Sequence, residues 1–319
     1  MLTIESVYHA SNILLPVVRR TDIIYAPKLS AYAGVYLKTE NLQVTGSFKI
    51  RGAYYKINEL TTLQKANGVV ACSAGNHAQG IAMAAQKNNI KALICLPSCA
   101  PISKIKATQS YGSKVCLVPG TYDDAYKKAV SLRDEHGYTL VHPFDDESVI
   151  AGQGTIALEI LNQLPDVEAI VVPVGGGGLI SGIAFTAKTL KPSVEIYGVQ
   201  AEGAASMLAS LRAGKITELP SVSTIADGIS VKKSGRLTFE ICSKYVDDIV
   251  TVSDEEISSA IVTLIEQHKL VAEGAGAVAV AAIMFGKLNL QGKKTVCLIS
   301  GGNIDLSTLS KIIQNKKEK

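Results

Sequence analysis

The chain has 319 residues, 47% of them hydrophobic and 19% charged. That is enough for about two domains and for a core that needs no disulfide or metal staple, and it excludes disordered and collagen-like chains. Its 32 basic and 28 acidic side chains leave a net +4. Four lysines and one glutamate in the last nine residues supply most of that excess, so they read as a solvated tail. The near-neutral body carries no basic stripe with interleaved aromatics, and no nucleic-acid partner is expected.

The opening MLTIESVYHA has no basic stretch followed by an apolar one, so no secretory leader is expected. No uncharged apolar run approaches the ~18 residues of a spanning helix, so no membrane partner is expected. Along the chain, apolar runs of strand length alternate with segments of helical period. The strands are expected at Val35–Lys38, Val69–Cys72, Ala92–Leu96, Val115–Val118, Thr139–Val141, Ala169–Val174, Glu195–Val199, Ile249–Val252 and Thr295–Ile299. Between them, helices are expected at Asn76–Lys87, Ile102–Tyr111, Tyr122–His136, Thr155–Leu164, Leu179–Leu190 and Ile257–His268. Ser253-Asp-Glu-Glu256 has capping-box spacing and marks a helix start. The alternation predicts an α/β protein with two open parallel-sheet domains and helices on both faces. Pro143 and three acids in 142–148 interrupt the pattern and hint at a boundary.

The six cysteines show no C-x-x-C spacing, and no histidine pair stands at zinc-ligand distance, so no metal is expected. Cys72, Cys116 and Cys297 lie in apolar runs, where a thiol behaves as a small hydrophobe, as in a reduced cytoplasmic protein.

Three polar or glycine-rich loops follow strands: Ser73–His77, Gly175–Gly178 and Gly301–Asn303. Ligands of open parallel sheets bind beyond the carboxyl ends of the strands, so the three loops point to one shared site. Gly175–Gly178 joins a strand to a helix, and four glycines there allow a close backbone approach to an anion, a single phosphate fitting best. A dinucleotide fingerprint fails, because Leu179 stands two after Gly177. Gly274-Ala-Gly276-Ala-Val-Ala279 matches G-x-G-x-x-A but follows a helical segment, and its small residues read as close helix packing. Lys49, between Phe48 and Ile50 at a Gly-Ser helix start, is placed to be partly buried, which favours the neutral amine and makes it a usable nucleophile or base. Ser73, Asn76 and the backbone donors around them suit a carboxylate at a helix start, although Ser and Asn are also ordinary caps.

Six motifs carry a resemblance that runs essentially end to end: Thr45–Gly52, Ser73–Gly80, Ala151–Thr155, Pro173–Gly178, Glu273–Ala277 and Ser300–Asp305. The chain resembles the threonine/serine dehydratases of pyridoxal-phosphate fold type II, which are tryptophan synthase β-like, and within them the short catabolic type that lacks a regulatory domain. The resemblance implies pyridoxal 5'-phosphate as cofactor, with Lys49 forming the Schiff base and Phe48 packing on the ring. Asn76 is then the partner of the ring hydroxyl, and Gly175, Gly176, Gly177, Gly178 and Leu179 hold the phosphate. Ser300 faces the pyridine nitrogen, while Ser73, Ala74, Asn76 and His77 close around the substrate carboxylate. The implied reaction is loss of water from L-threonine, or L-serine, to give 2-oxobutanoate, or pyruvate, and ammonia. A small domain, 68–145, is expected to close over a cofactor domain of 1–67 and 146–319, in a homodimer or homotetramer. Serine racemases share most of these motifs and are the alternative, but they carry a serine where Ala74 stands. They also bind a divalent cation through acidic residues at places that hold Gln200 and Ser206 here, with Glu202 nearby. Cysteine synthases, a further alternative, have a different asparagine loop.

Overall fold

The computed structural model describes residues 2–30 and 33–317. Its strands are β1 (Ile23–Tyr25), β2 (Gly34–Lys38), β3 (Val69–Cys72), β4 (Ala92–Pro97), β5 (Lys114–Val118), β6 (Thr139–Leu140), β7 (Ala169–Pro173), β8 (Glu195–Ala201), β9 (Asp248–Val252) and β10 (Lys294–Leu298). They form two sheets in two compact units, one of Met1–Val18 with Lys49–Gln153 and one of Arg19–Phe48 with Gly154–Lys319. The first unit extends further along the chain than the segment 68–145 expected for the small domain. The helix Lys49–Asn58 belongs to it because that helix packs along Asn76–Lys87.

In the first unit the strand order is β5-β4-β3-β6, all parallel. Side chains alternate across a strand, and both sets are apolar here. Val69, Ala71, Ile94 and Leu96 pack with Ile50, Ile57, Ala78 and Ile81 of two helices on one face. Val70, Cys72 and Cys95 pack with Ala125, Ala129 and Leu132 of the helix Tyr122–His136 on the other. That helix has the expected limits because Thr121 forms a capping box with Asp124 at its start, while Gly137 closes its end at φ 70°.

In the second unit the order is β1-β2-β10-β7-β8-β9. Odd-numbered residues of β7, Ala169 and Val171, join the cluster built with Ile257, Ile261 and the helix Gly274–Met284. Even-numbered Ile170 and Val172 face Ile156, Ile160, Ile180 and Ile183. Helices therefore cover both faces, and each fully buried Ile or Leu contributes about 1.5–3 kcal/mol. One strand departs from the expected pattern: β1 pairs antiparallel with β2 at the sheet edge. Three residues are too short for the period-two pattern to mark them.

Two further differences have local causes. The helix expected from Thr155 starts at Glu147, with Asp146 Oδ1 accepting from Val149 N at 3.0 Å. Gly152 and Gly154 lower its intrinsic propensity, but at Gly152 an added Cβ would stand 2.6 Å from Gly52 Cα, so helix packing requires the glycine. The lysine-rich end is a helix, Leu306–Lys317, not a tail, because Leu309 and Ile312, one turn apart, reach the core. Glu318 and Lys319 lie outside the described residues. No helix among the described residues is long and apolar enough to cross a membrane.

Candidate active site

In the second unit, β7 and β10 are parallel neighbours in register Cys297↔Val171. The loops that follow them, with Gly175–Gly178 and Ser300, therefore leave the same sheet edge side by side. Gly177 has φ 99°, where L side chains are strained, and an added Cβ would meet Met207 Cε at 2.6 Å and Thr238 Cβ at 2.8 Å. No side chain caps the helix that follows, Gly178–Leu190, with Leu179 buried in its first turn. First-turn amides left without a side-chain cap, after a loop of glycines, are of the kind that can hold an anion. The Ser300 hydroxyl, 3% exposed, donates to Ala275 O at 3.3 Å. At Gly276 an added Cβ would stand 2.2 Å from Gly301 O, so the small residues of this helix do serve close packing.

The same edge anchors the segment before Lys49. Phe48 N donates to Ser300 O at 3.1 Å, Ser47 bridges to Gly301, and Asn303 Nδ2 donates to Thr45 O at 2.8 Å. Phe48 is half-buried against the β7–β10 core.

In the first unit Lys49 opens the helix Lys49–Asn58, half-buried, and its Nζ donates to Pro143 O at 3.0 Å. At Gly80 an added Cβ would lie 3.2 Å from Lys49 C and O, so this glycine lets the helix Asn76–Lys87 approach the lysine backbone. His77, 4% exposed, sits in that helix with Nε2 3.0 Å from Val141 O, which makes Nε2 the protonated nitrogen. Burial, then the Lys49 charge, then His142 drive its pKa down to about 3, against the Val141 hydrogen bond, so the ring is neutral at pH 7. Burial also lowers the His142 pKa, helped by Lys49 and opposed by Asp145 and Asp146. His142 Nδ1 accepts from Phe144 N and Asp145 N at 3.3 and 2.8 Å, which leaves Nε2 to carry its proton. Ser73 Oγ accepts from Gly75 N at 3.2 Å, and Ala74 and Asn76 are half-buried beside it. The helix has no side-chain cap, with Gly75 at its N-cap position.

The expected residues therefore fall into two groups, Lys49, Ser73, Ala74, Asn76 and His77 in one unit and Phe48, Gly175–Gly178, Leu179 and Ser300 in the other. In the sequence Pro143 marks only a break in the pattern, and His142 beside it carries no motif. A usable signal was present, because 141–145 follows β6, the parallel neighbour of β3, at the edge that also carries Ser73–His77. Burial alone does not single out Lys49. Lys38 is more buried than Lys49, but it donates to Thr21 O, Glu159 and Gln163 at 2.7, 2.6 and 3.1 Å, engaging all three of its protons. Among the described residues no group of three His, Cys, Asp or Glu could hold a metal ion.

The profile of the family described as "Pyridoxal-phosphate dependent enzyme" matches residues 14–302. The chain belongs to that family. Among these pyridoxal-phosphate dependent enzymes it is 53% identical over 315 residues to the L-threonine ammonia-lyase of Thermotoga maritima, covering 98% of this chain and 78% of that one. It is 46% identical over 321 residues to the catabolic L-threonine dehydratase TdcB of Staphylococcus aureus, covering 99% and 93%. Among solved structures, maize serine racemase superposes with a TM-score of 0.93 at 36% identity, covering 99% and 98%. The residues present fit the family's cofactor. The side-chain-free loop Gly175–Gly178, whose Gly177 is packed against Met207 and Thr238, suits its phosphate, and the primary amine of Lys49 suits its aldehyde.

Proposed function

We propose that the protein is a pyridoxal-phosphate dependent L-threonine ammonia-lyase that also accepts L-serine. The observation that carries this reading is near full-length identity to relatives named for that reaction, in a chain that keeps Lys49 and the glycine cradle. In this reading Lys49 holds the cofactor aldehyde, Gly175–Gly178 and Leu179 its phosphate, Asn76 its ring hydroxyl and Ser300 its pyridine nitrogen, with Phe48 against the ring. Bound pyridoxal phosphate supplies the electron sink for the pair left at Cα when its proton departs. The chain supplies the rest.

Ser73, Asn76 and the amides of the uncapped helix start at Asn76 hold the substrate carboxylate, which gains from the positive end of that helix. The Lys49 amine would remove the proton from Cα; a base so positioned contributes about 10²–10⁴-fold. The neutral rings of His77 and His142 add no positive charge beside that amine. The β-hydroxyl leaves as water, and hydrolysis of the imine form of the product returns one water and releases ammonia. L-threonine so yields 2-oxobutanoate plus ammonia. A racemase needs a second acid–base group on the opposite face, and the methyl group of Ala74 cannot carry a proton. The proposal includes a cytoplasmic homo-oligomer. Burial of the Cys72, Cys95, Cys242 and Cys297 thiols as small apolar groups supports the compartment, and the family resemblance supports the assembly.

The test offers L-threonine, L-serine and D-serine to the cofactor-loaded protein and to Lys49→Ala, following oxo acid release and the chirality of remaining substrate. Oxo acid from L-threonine that vanishes in the variant is the expected result. D-serine accumulating from L-serine, with little turnover of threonine, would replace the lyase by a racemase.

A further inference from the structure

The glycine loop is held from outside by two buried side chains, Gln200 and Thr238. Gln200, on β8 with no exposed surface, donates through Nε2 to Val174 O and to Ala204 O, both at 3.2 Å. Its Oε1 accepts from Leu208 N at 2.9 Å, which settles the orientation of the amide. Thr238, also fully buried, donates through Oγ1 to Gly176 O at 2.7 Å, with Gly235 O farther away at 3.3 Å.

The two contacts are linked by peptide geometry. In a planar trans peptide the carbonyl of one residue and the N–H of the next point in opposite directions. Tying Val174 O to Gln200 therefore aims Gly175 N–H the other way, and tying Gly176 O to Thr238 does the same for Gly177 N–H. Glycines tolerate many orientations, so the loop's own residues do not fix these carbonyls; apart from a long contact from Gly235 N to Gly176 O at 3.5 Å, the ties come from Gln200 and Thr238. The two ties act on alternate peptides of one loop.

We propose that Gln200 and Thr238 are positioning residues that orient the Gly175 and Gly177 amides toward the cofactor phosphate, and so set how strongly this loop selects a phosphorylated cofactor over its phosphate-free form. The inference rests on the reading of Gly175–Gly178 as the phosphate site.

The test is equilibrium dialysis of the apoprotein with pyridoxal phosphate and, separately, with pyridoxal, in wild type, Thr238→Val, Thr238→Ser and Gln200→Met. Losing one tie is expected to weaken pyridoxal phosphate binding about tenfold while leaving pyridoxal within about twofold. Thr238→Ser, which keeps the hydroxyl, is expected to bind like wild type. Should Gln200→Met fail to fold, Gln200→Glu stands in. Its carboxylate keeps the acceptor for Leu208 N but faces two carbonyl oxygens, so its phosphate preference, compared with wild type at the same pH, is expected to recover as pH falls and the acid regains a donor. Equal losses for both ligands, or unchanged ratios in every variant, would overturn the inference. A wild type that binds pyridoxal and its phosphate equally well would instead overturn the underlying phosphate site.

Discussion

The two units share one device, a strand that ends in a loop and then an uncapped helix, but they build it from different residues. After β7 the loop is Val174 followed by glycines and mostly buried, and its Val174 and Gly176 carbonyls are tied to Gln200 and Thr238. After β3 the loop is Ser73-Ala-Gly-Asn76, half-buried, with side-chain oxygens and amides of its own and one internal bond from Gly75 N to Ser73 Oγ. Backbone amides in a rigid buried cradle suit a group that stays, because they are aligned before it arrives and need no side-chain ordering. Side-chain donors on a half-open loop suit a group that must leave each turnover, at the cost of ordering them each time. The proposed division of labour, resident phosphate in one unit and exchanging carboxylate in the other, follows from that contrast.

Removing the amine gives the largest effect. Lys49→Ala is expected to reduce threonine turnover by at least ~10³-fold while pyridoxal phosphate is still retained on dialysis. If the cofactor washes out as fast as from an all-polar surface site, the glycine cradle is not what holds it. Gly177→Ala is expected to do the reverse, since a Cβ at φ 99° meets Met207 and Thr238. A cost of about 2–4 kcal/mol in urea unfolding, with loss of cofactor, is expected. An unchanged midpoint would mean the loop is looser than its geometry shows.

The third prediction concerns the exchanging side. His77 is held neutral down to about pH 3, mainly by burial and then by the Lys49 charge. Below its ordinary value near 6.5 the unfolded chain takes a proton that the folded one refuses, so stability falls as pH drops from there toward 3. At pH 5 the loss from His77 alone is about 2 kcal/mol, and His142, shifted the same way, adds to it. Melting of wild type and His77→Gln at pH 7.5 and 5.0 should show a smaller acid penalty in the variant; equal penalties would contradict it. Ser73→Ala should have the smallest effect, raising the KM for threonine within about tenfold without changing cofactor affinity. A change in cofactor affinity instead would erase the distinction between the two loops.

Much of this was legible in the amino-acid order. The nine expected strands all form, because long apolar runs bounded by turns admit few alternatives. Asn76–Lys87 and Tyr122–His136 begin and end where expected. The helix from Glu147 starts ahead of the expected Thr155: Gly152 and Gly154 argue against helix locally, and only contact with Gly52 explains Gly152. Edge strand β1 was missed because its pairing with β2 is antiparallel and three residues long. Within the candidate site, the lysine and the glycine loop stood out by type and spacing. Pro143 stood out only as a break in the pattern and Gln200 only as the residue at a racemase cation position, and Thr238 did not stand out, since a hydroxyl carries no pattern of its own.

The sequence by itself determined the periodicities, and with them an α/β chain with two parallel sheets, and it determined which residues could serve as amine, anion cradle and carboxylate loop. Those properties are local: they depend on side-chain type and on spacing within a few residues. Tertiary structure alone decided which carbonyls are tied to Gln200 and Thr238, which histidine is buried into neutrality, and that fully buried Lys38 is held by Thr21, Glu159 and Gln163. Each of these depends on groups brought together from tens to more than a hundred residues apart, and hydrogen-bond direction and desolvation exist only once they are in place.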